Sequence, residues 1–405
     1  MADLPTSRLL SLPPELRENI YRLILHPDAN RLYRANEYTA YDYRPALVLF
    51  RINRLIYFES RKVFRELNVF VRIETPWPEA RHHVAEEGHV PMIAVGARAA
   101  RYTGHHMSVR IDAPEVPLGA SEEQAWMVLV GDLEKFTRMW YYSNLSHPGL
   151  NPQLRLVLSL RDPYTPDYEE KRILKPLQRQ LLLPFGLIKD CKTVTVDGDP
   201  KPYASIVKDL LALQAQPYDS PEHCLRESAR LKAAGNAELK LANYPAALES
   251  YDQAFLAIHV VNKGRVRHIH AERFFARPLF EEPYAGKNGQ LERLVLRVQL
   301  VANTCLAYLK LEDYDTARFW GMRTISTLRE QMGIDFNRDV PPEEEAVLTF
   351  PASAEMGKIY FRTAVALKAL DEKADARRLL RVAVLYLPDD PLVAAELASV
   401  ALRLG

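Results

Sequence analysis

The chain has 405 residues, of which 48% are hydrophobic and 26% charged, and its 53 basic and 52 acidic side chains nearly cancel. That length accommodates two or three domains with real cores, while the charge balance leaves no global field for nucleic acid or membranes, so a charged partner must be met by a local cluster. Three cysteines with no close pair (Cys191, Cys224, Cys305) point away from a disulfide framework or a thiolate zinc site and fit a reducing compartment.

The opening, MADLPTSRLLSLPPELRENIY, places charges and prolines where a signal peptide needs an apolar core. No run of about 18 apolar residues follows, so the cytoplasm or nucleus is the expected compartment. Residues 7–67 read as short helices. Leu9, Leu10, Leu12, Leu16, Ile20, Leu23 and Ile24 recur near helical spacing, with Pro13-Pro14 suited to a helix start. A polar, Tyr-rich stretch (Arg31 to Arg44) leads to a second helix from about Ala46 to Leu67.

Residues 68–213 change character. Val69–Ile73, Met107–Ile111, Met127–Val130, Leu154–Leu160 and Thr193–Val196 read as strands. Between them lie helices over Asp132–Leu145, with Asp132 as a cap, Glu169–Leu183 and Tyr203–Leu213. Interleaved strands and helices predict an α+β or α/β unit. A linker is placed near Ala215–Ser220. From Pro221 onward strand signals vanish, and 221–405 reads as all helix.

Within that last region three segments share one spacing. Gly235, Cys305 and Ala364 are small. Ala247, Ala317 and Ala376 follow each by twelve residues, and Ala254, Thr324 and Ala383 by nineteen. Tyr244 and Tyr314 follow the first two by nine. Small residues here let two antiparallel helices approach closely, as in a helix–turn–helix repeat of about 34 residues. The segments LKAAGNAELKLANYPAALESYDQAF, ANTCLAYLKLEDYDTARFWGMRTI and KIYFRTAVALKALDEKADARRLLRVAVLYLPDD resemble the tetratricopeptide (TPR) family. The second departs at Gly321, where an aromatic is usual, and the third at Lys373. The anchors stand 70 and 59 residues apart, so extra residues, chiefly Asn262–Gln290, extend helices or form loops. Asp389–Leu404 resembles the helix that closes such arrays.

In that family the first helix of each repeat lines a concave groove. Lys232 and Asn236, four apart, would share a face there with Asn303 and with Lys358 and Arg362. Lysine supplies a point charge, arginine a planar fork, and asparagine can orient a peptide edge or a carboxylate. The five match the dicarboxylate clamp of co-chaperone tetratricopeptide domains. The resemblance implies binding of the terminal Glu-Glu-Val-Asp of cytosolic heat-shock chaperones of the seventy- and ninety-kilodalton classes. A solvated polar helix face is the alternative.

LLSLPPELRENIYRLIL and ALVLFRINRLIYFESRKVFRELNVFVRIETP resemble the fungal F-box-like segment. That resemblance covers Ser7 to Thr75 and implies docking on the Skp adaptor of a cullin ubiquitin ligase. The alternative is that these helices only pack on the α+β unit behind them. Histidine pairs (His82-His83, His105-His106, and His268 with His270) lack acidic partners at ligand spacing, so no metal or cofactor is expected. The segment GRVRHIHAERF reads as a basic loop, solvated or facing a partner, and Asp162, Asp167, Glu169 and Glu170 as an acidic, solvated one. Without a glycine-rich phosphate loop or a nucleophile elbow, no catalytic residue is assigned. An enzyme hidden in 68–213 would need a deep pocket of converging titratable groups. The expectation is therefore an α+β N-terminal region followed by an all-α TPR superhelix. It would serve as a non-enzymatic adaptor, or as a substrate-recruiting ligase subunit using the repeats as a generic scaffold.

Overall fold

The computed structural model describes residues 8–32, 40–115, 124–335 and 338–400. Ser7, the middle of the Tyr-rich stretch and residues 401–404 of the expected closing helix lie outside the described residues. The chain divides into two compact units, Met1–Tyr218 and Asp219–Gly405, with the division inside the Ala215–Ser220 stretch.

In the first unit, helix α1 (Pro14–Leu25) begins at Pro14, where a missing N–H is harmless. It packs on α2 (Arg54–Leu67) through Tyr21, Leu25, Ile56 and Val63. Glu59 ties the pair together. Its carboxylate accepts from Arg17 Nε at 3.0 Å, Arg17 Nη2 at 2.5 Å and the Tyr21 hydroxyl at 2.9 Å. The single helix expected over 46–67 is broken. Ala46–Arg51 winds as a 3-10 helix, and Asn53 then restarts the chain as an N-cap, accepting from Ile56 N at 2.9 Å.

Six strands form a mixed sheet: β1 (Phe70–Thr75), β2 (Ala94–Val95), β3 (Met107–Asp112), β4 (Gln124–Leu129), β5 (Arg155–Arg161) and β6 (Thr193–Asp199). Their order is β2-β4-β1-β3-β5-β6. β1 runs parallel to β3 and β5 parallel to β6, and the other pairs are antiparallel. Val71 lies opposite both Met107 and Val128. The two-residue period therefore sends Val71, Ile73, Val109, Val128, Leu156 and Leu158 into one core. Helices α3 (Leu133–Ser146), α4 (Lys175–Leu182) and α5 (Ala204–Gln214) cover it with Phe136, Trp140, Leu181, Ile206 and Leu210.

Two carboxylates behave differently from their sequence reading. Asp132 caps no amide of α3. It is buried, and accepts from the Tyr41 hydroxyl and Lys135 Nζ, both at 2.7 Å. Asp162 accepts from Tyr164 N at 3.1 Å and from Thr165 N and Arg172 N at 3.2 Å. It holds the acidic loop in shape instead of standing in solvent. That loop, with Pro176 in the first turn of the helix where its missing N–H is harmless, confines the helix expected over 169–183 to Lys175–Leu182.

The second unit holds α6 (Pro221–Lys240), α7 (Tyr244–Ala257), α8 (Gly289–Lys310), α9 (Tyr314–Gln331), α10 (Ser353–Ala369), α11 (Lys373–Tyr386) and α12 (Pro391–Ser399). One turn geometry recurs between α6 and α7, α8 and α9, and α10 and α11. Ala242, Glu312 and Asp371 are left-handed, at φ 60°, 58° and 64°. Each following N–H reaches back five residues: Asn243 to Glu238 O at 3.0 Å, Asp313 to Tyr308 O at 3.0 Å, Glu372 to Leu367 O at 2.8 Å. This is the bonding of a Schellman cap. Beneath the turns Ala247, Cys305, Ala317, Ala364 and Ala376 are fully buried. A Cβ at Gly235 would come within 2.5 Å of the Tyr251 ring. Gly321 has a similar reason to lack a side chain: a Cβ there would overlap Thr363 Oγ1 on α10.

The expectation that strands end at Pro221 is corrected by a hairpin, β7 (Val260–Lys263) with β8 (Val266–Ile269). The basic segment forms part of it, so it is no free loop. Arg293 of α8 anchors this insertion. It is buried, donates through Nε to Ile258 O at 2.9 Å and through Nη2 to His270 O at 2.6 Å and His259 O at 3.3 Å, and lies over the Phe275 ring. A second buried arginine, Arg329, pairs with Glu345 and donates to Asp335 O at 3.0 Å, while the Tyr360 hydroxyl donates to Glu345 at 2.8 Å.

Two measurable consequences follow from these packings. Gly321→Ala should lower stability to denaturant by about 1–3 kcal/mol, the usual range for overpacking. Adding Thr363→Ala should recover part of that loss, because the two residues touch. In the first unit, burial pushes His105 and His106 from 6.5 down to about 4. The unfolded chain then binds protons more readily between those values, so stability falls as pH drops from about 6.5 to about 4, by up to about 3 kcal/mol per histidine. Urea titrations across that window should show the fall, and His105→Gln with His106→Phe should flatten it.

Candidate functional site

The five residues singled out from sequence sit on α6, α8 and α10, the first helices of the three pairs. All five are half-buried. Helical spacing puts Lys232 and Asn236 one turn apart on α6, and Gln299 and Asn303 one turn apart on α8. The facing residues meet. Lys232 Nζ donates to Gln299 Oε1. Asn303 Nδ2 donates to Asn236 Oδ1 at 2.7 Å, and the Tyr251 hydroxyl donates to the same oxygen at 2.9 Å. With Oδ1 doubly occupied, the amide of Asn236 is fixed and its Nδ2 remains the donor. From α10, Arg362 Nη1 donates to Ala302 O at 2.5 Å. Four of the five are thus bonded along a continuous strip across three helices. Lys358, more exposed, stands 3.7 Å from Glu355.

Glu355 was not foreseen as part of this group. Its charge acts on Lys232 and on Arg362 as well as on neighbouring Lys358. The sequence does carry the signal: 355, 358 and 362 are spaced for one helical face. Gln299 and Tyr251 were also missed. Gln299 lies four residues before Asn303, whereas Tyr251 reaches the strip from α7 and leaves no mark in the α8 pattern. Burial lowers Lys232 from its ordinary range, opposed by Glu355. Burial likewise lowers Arg362, whose guanidinium remains charged at any ordinary pH. Lys232 and Arg362 make no ion pair among the described residues. The strip is accordingly an arrangement of cationic and amide donors facing one internal carboxylate, which suits a carboxylate ligand.

The remaining chemical candidates are occupied otherwise. Burial pushes the thiols of Cys191, Cys224 and Cys305 up to about 12, so they stay protonated at neutral pH. His82 pairs with Glu86 at 3.0 Å and His83 with Glu87 at 2.9 Å. Among the described residues no group of three or more histidine, cysteine, aspartate or glutamate side chains could hold a metal ion. No helix among them is long and apolar enough to cross a membrane.

No known protein-family profile matches the chain.

If Glu355 lies in the field of Lys232 as described, removing it must deepen the burial effect. An NMR titration of the Lys232 side chain should place its pKa below that of ordinary lysine, and Glu355→Gln should lower it further. A Lys232 pKa unmoved by Glu355→Gln would separate the two groups.

Proposed function

We propose that the second unit is a tetratricopeptide-type array whose groove binds an acidic peptide through its free C-terminus. The partner would be the Glu-Glu-Val-Asp tail of a heat-shock chaperone of the seventy- or ninety-kilodalton class, and the protein a non-enzymatic adaptor. The observation that carries this reading is the strip of Lys232, Asn236, Asn303 and Arg362 across three successive first helices. The recurring left-handed turn supports the repeat assignment.

In this reading Lys232 and the two asparagines hold the main-chain carboxylate, while Lys358 and Arg362 receive the last side-chain carboxylate. Glu355 occupies the cationic field when the groove is empty and must be neutralised or turned aside as the peptide enters. Charge-assisted hydrogen bonds contribute about 1.5–3 kcal/mol each. Several of them, less the ordering of the peptide, reach about 8 kcal/mol, or micromolar affinity.

Calorimetric titration of a peptide ending in Glu-Glu-Val-Asp tests the reading. Micromolar binding is expected. Lys358→Ala with Arg362→Ala should weaken it tenfold or more, and amidation of the peptide C-terminus should remove it. Glu355→Gln should strengthen it several-fold by deleting the competing carboxylate. Absence of binding, or affinity indifferent to the double substitution, would defeat the clamp.

A second reading, that the protein recruits substrates to a ubiquitin ligase, is favoured by one feature of the first unit. Leu23 of α1, Val48 of the 3-10 helix and Ile52 just after it, and Leu55 and Phe58 of α2 remain half or more exposed. Solvent-exposed apolar side chains in the F-box-like segment are what a helical adaptor such as Skp would cover. Pull-down of purified Skp by the full chain, lost on Leu55→Asp with Phe58→Asp, is the expected result; retention by the double variant would exclude this surface.

A further inference from the structure

The hairpin insertion brings together arginines that the groove does not use. Arg267 lies on β8, Arg297 on α8 and Arg323 on α9. Arg267 and Arg323 share one aromatic ring: their guanidinium carbons stand 5.1 Å and 4.9 Å from the centre of Trp320. Arg267 also lies 5.5 Å from the Phe255 ring, and Arg323 4.9 Å from Phe319. Arg297 is close enough that its charge acts on both. Stacking on rings fixes these guanidinium planes without consuming their N–H donors.

Several of those donors lack acceptors. Arg267 Nε donates to Asn262 Oδ1 at 3.1 Å, and Arg323 Nη1 to Arg265 O at 3.2 Å. Arg267 Nη2, Arg297 Nε, Arg323 Nε and Nη2, and Asn262 Nδ2 are shielded from solvent and meet no hydrogen-bond partner. None of the three arginines makes an ion pair among the described residues. Glu272 is the acid whose charge reaches Arg297, and it forms no contact pair with it. Buried polar groups are ordinarily satisfied, and arginine cannot shed its charge to escape the repulsion. Elsewhere in this unit Arg293 takes three carbonyls, and Arg329 takes a carboxylate and two carbonyls with only its Nε unmet. The trio of Arg267, Arg297 and Arg323 differs in having four unmet nitrogens and no carboxylate in contact among the described residues. Arg297 also lines an open cleft of about 430 Å³ bounded by Ile269, Glu272, Leu291 and Leu294, so this member of the trio is reached from solvent.

We infer that Arg267, Arg297 and Arg323, with the Asn262 amide, form a second ligand site, separate from the carboxylate strip, for a phosphoryl-type oxyanion. A phosphoryl group offers three strong acceptor oxygens and nearly two negative charges, which matches donors arriving from three arginines and an asparagine. A single carboxylate has two oxygens in one plane and leaves part of this set unpaired. The phosphoryl group could be free phosphate or the end of a small phosphate ester, and both present the same oxygens.

The test uses the full chain at constant ionic strength, with inorganic phosphate, pyrophosphate, glucose 6-phosphate, acetate and chloride as probes. Saturable binding of the phosphates, read by calorimetry and by Trp320 fluorescence, is expected; acetate and chloride should give none. Preference between inorganic phosphate and the ester identifies the source. Arg267→Gln with Arg323→Gln should weaken phosphate binding at least tenfold, while Lys358→Ala leaves it unchanged and weakens only the acidic peptide. A further readout covers variants that lose binding by misfolding. Because the trio is uncompensated in the empty protein, Arg323→Gln alone should raise the melting temperature without phosphate and reduce the gain on adding it. Equal stabilisation by all five anions, or a melting temperature lowered by Arg323→Gln with phosphate binding intact, would overturn the site.

Discussion

The left-handed residue at the end of α6, α8 and α10 is the constraint on which the second unit depends. Ala242, Glu312 and Asp371 are not glycine, so each pays about 1–2 kcal/mol for positive φ. Each recovers it by directing the next amide onto a carbonyl five residues back, and by sending the chain into a second helix against a face of alanines. With three turns alike, α6, α8 and α10 align as neighbours. That alignment brings Asn236 within 2.7 Å of Asn303, and Arg362 onto the Ala302 carbonyl. The polar strip is thus a by-product of turn geometry, and its residues need only point outward from helices already placed.

Much of this was legible because it rests on short-range pattern. The small residues at 235, 247, 305, 317, 364 and 376 announce close helix approach, and five strands of the sheet show their alternation. What escaped was decided by contacts distant in sequence. Asp132 has the chemistry of a helix cap, yet Tyr41 and Lys135 claim its carboxylate. The hairpin at 260–269 has too few apolar residues to read as strands, and its shape is imposed by Arg293 from a helix that starts twenty residues later. Gly321 breaks the expected aromatic pattern because its partner, Thr363, lies on another helix pair. The clamp positions were readable; the 355, 358, 362 spacing places Glu355 with Lys358 and Arg362, but its action on Lys232 of α6 needed the folded chain.

Polar groups in the second unit fall into three states of satisfaction. Arg293 and Arg329 are buried and held by backbone carbonyls, with Glu345 added for Arg329, so they hold loops. Lys232, Asn236, Asn303 and Arg362 are half-buried and engaged by neutral acceptors, so they are ordered before any ligand arrives and less conformational entropy is lost on binding. Arg267, Arg297 and Arg323 are shielded and only partly engaged. The same residue type serves as fastener, as prearranged donor and as unpaired charge, according to how many acceptors the surrounding backbone supplies.

The anchoring of the hairpin by Arg293 also bears on modularity. In a linear repeat array each unit touches only its neighbours, and units can be removed from an end without dissolving the rest. Here the carbonyls closing the first helix pair, at Ile258 and His259, are satisfied from inside the second. The first pair cannot be excised with its ends intact, nor can Arg293 of the second keep all three of its acceptors unless the first is present. Over this stretch the chain behaves as one cooperative block, and hydrogen exchange in α6 to α9 should report a single opening free energy rather than a gradient along the array.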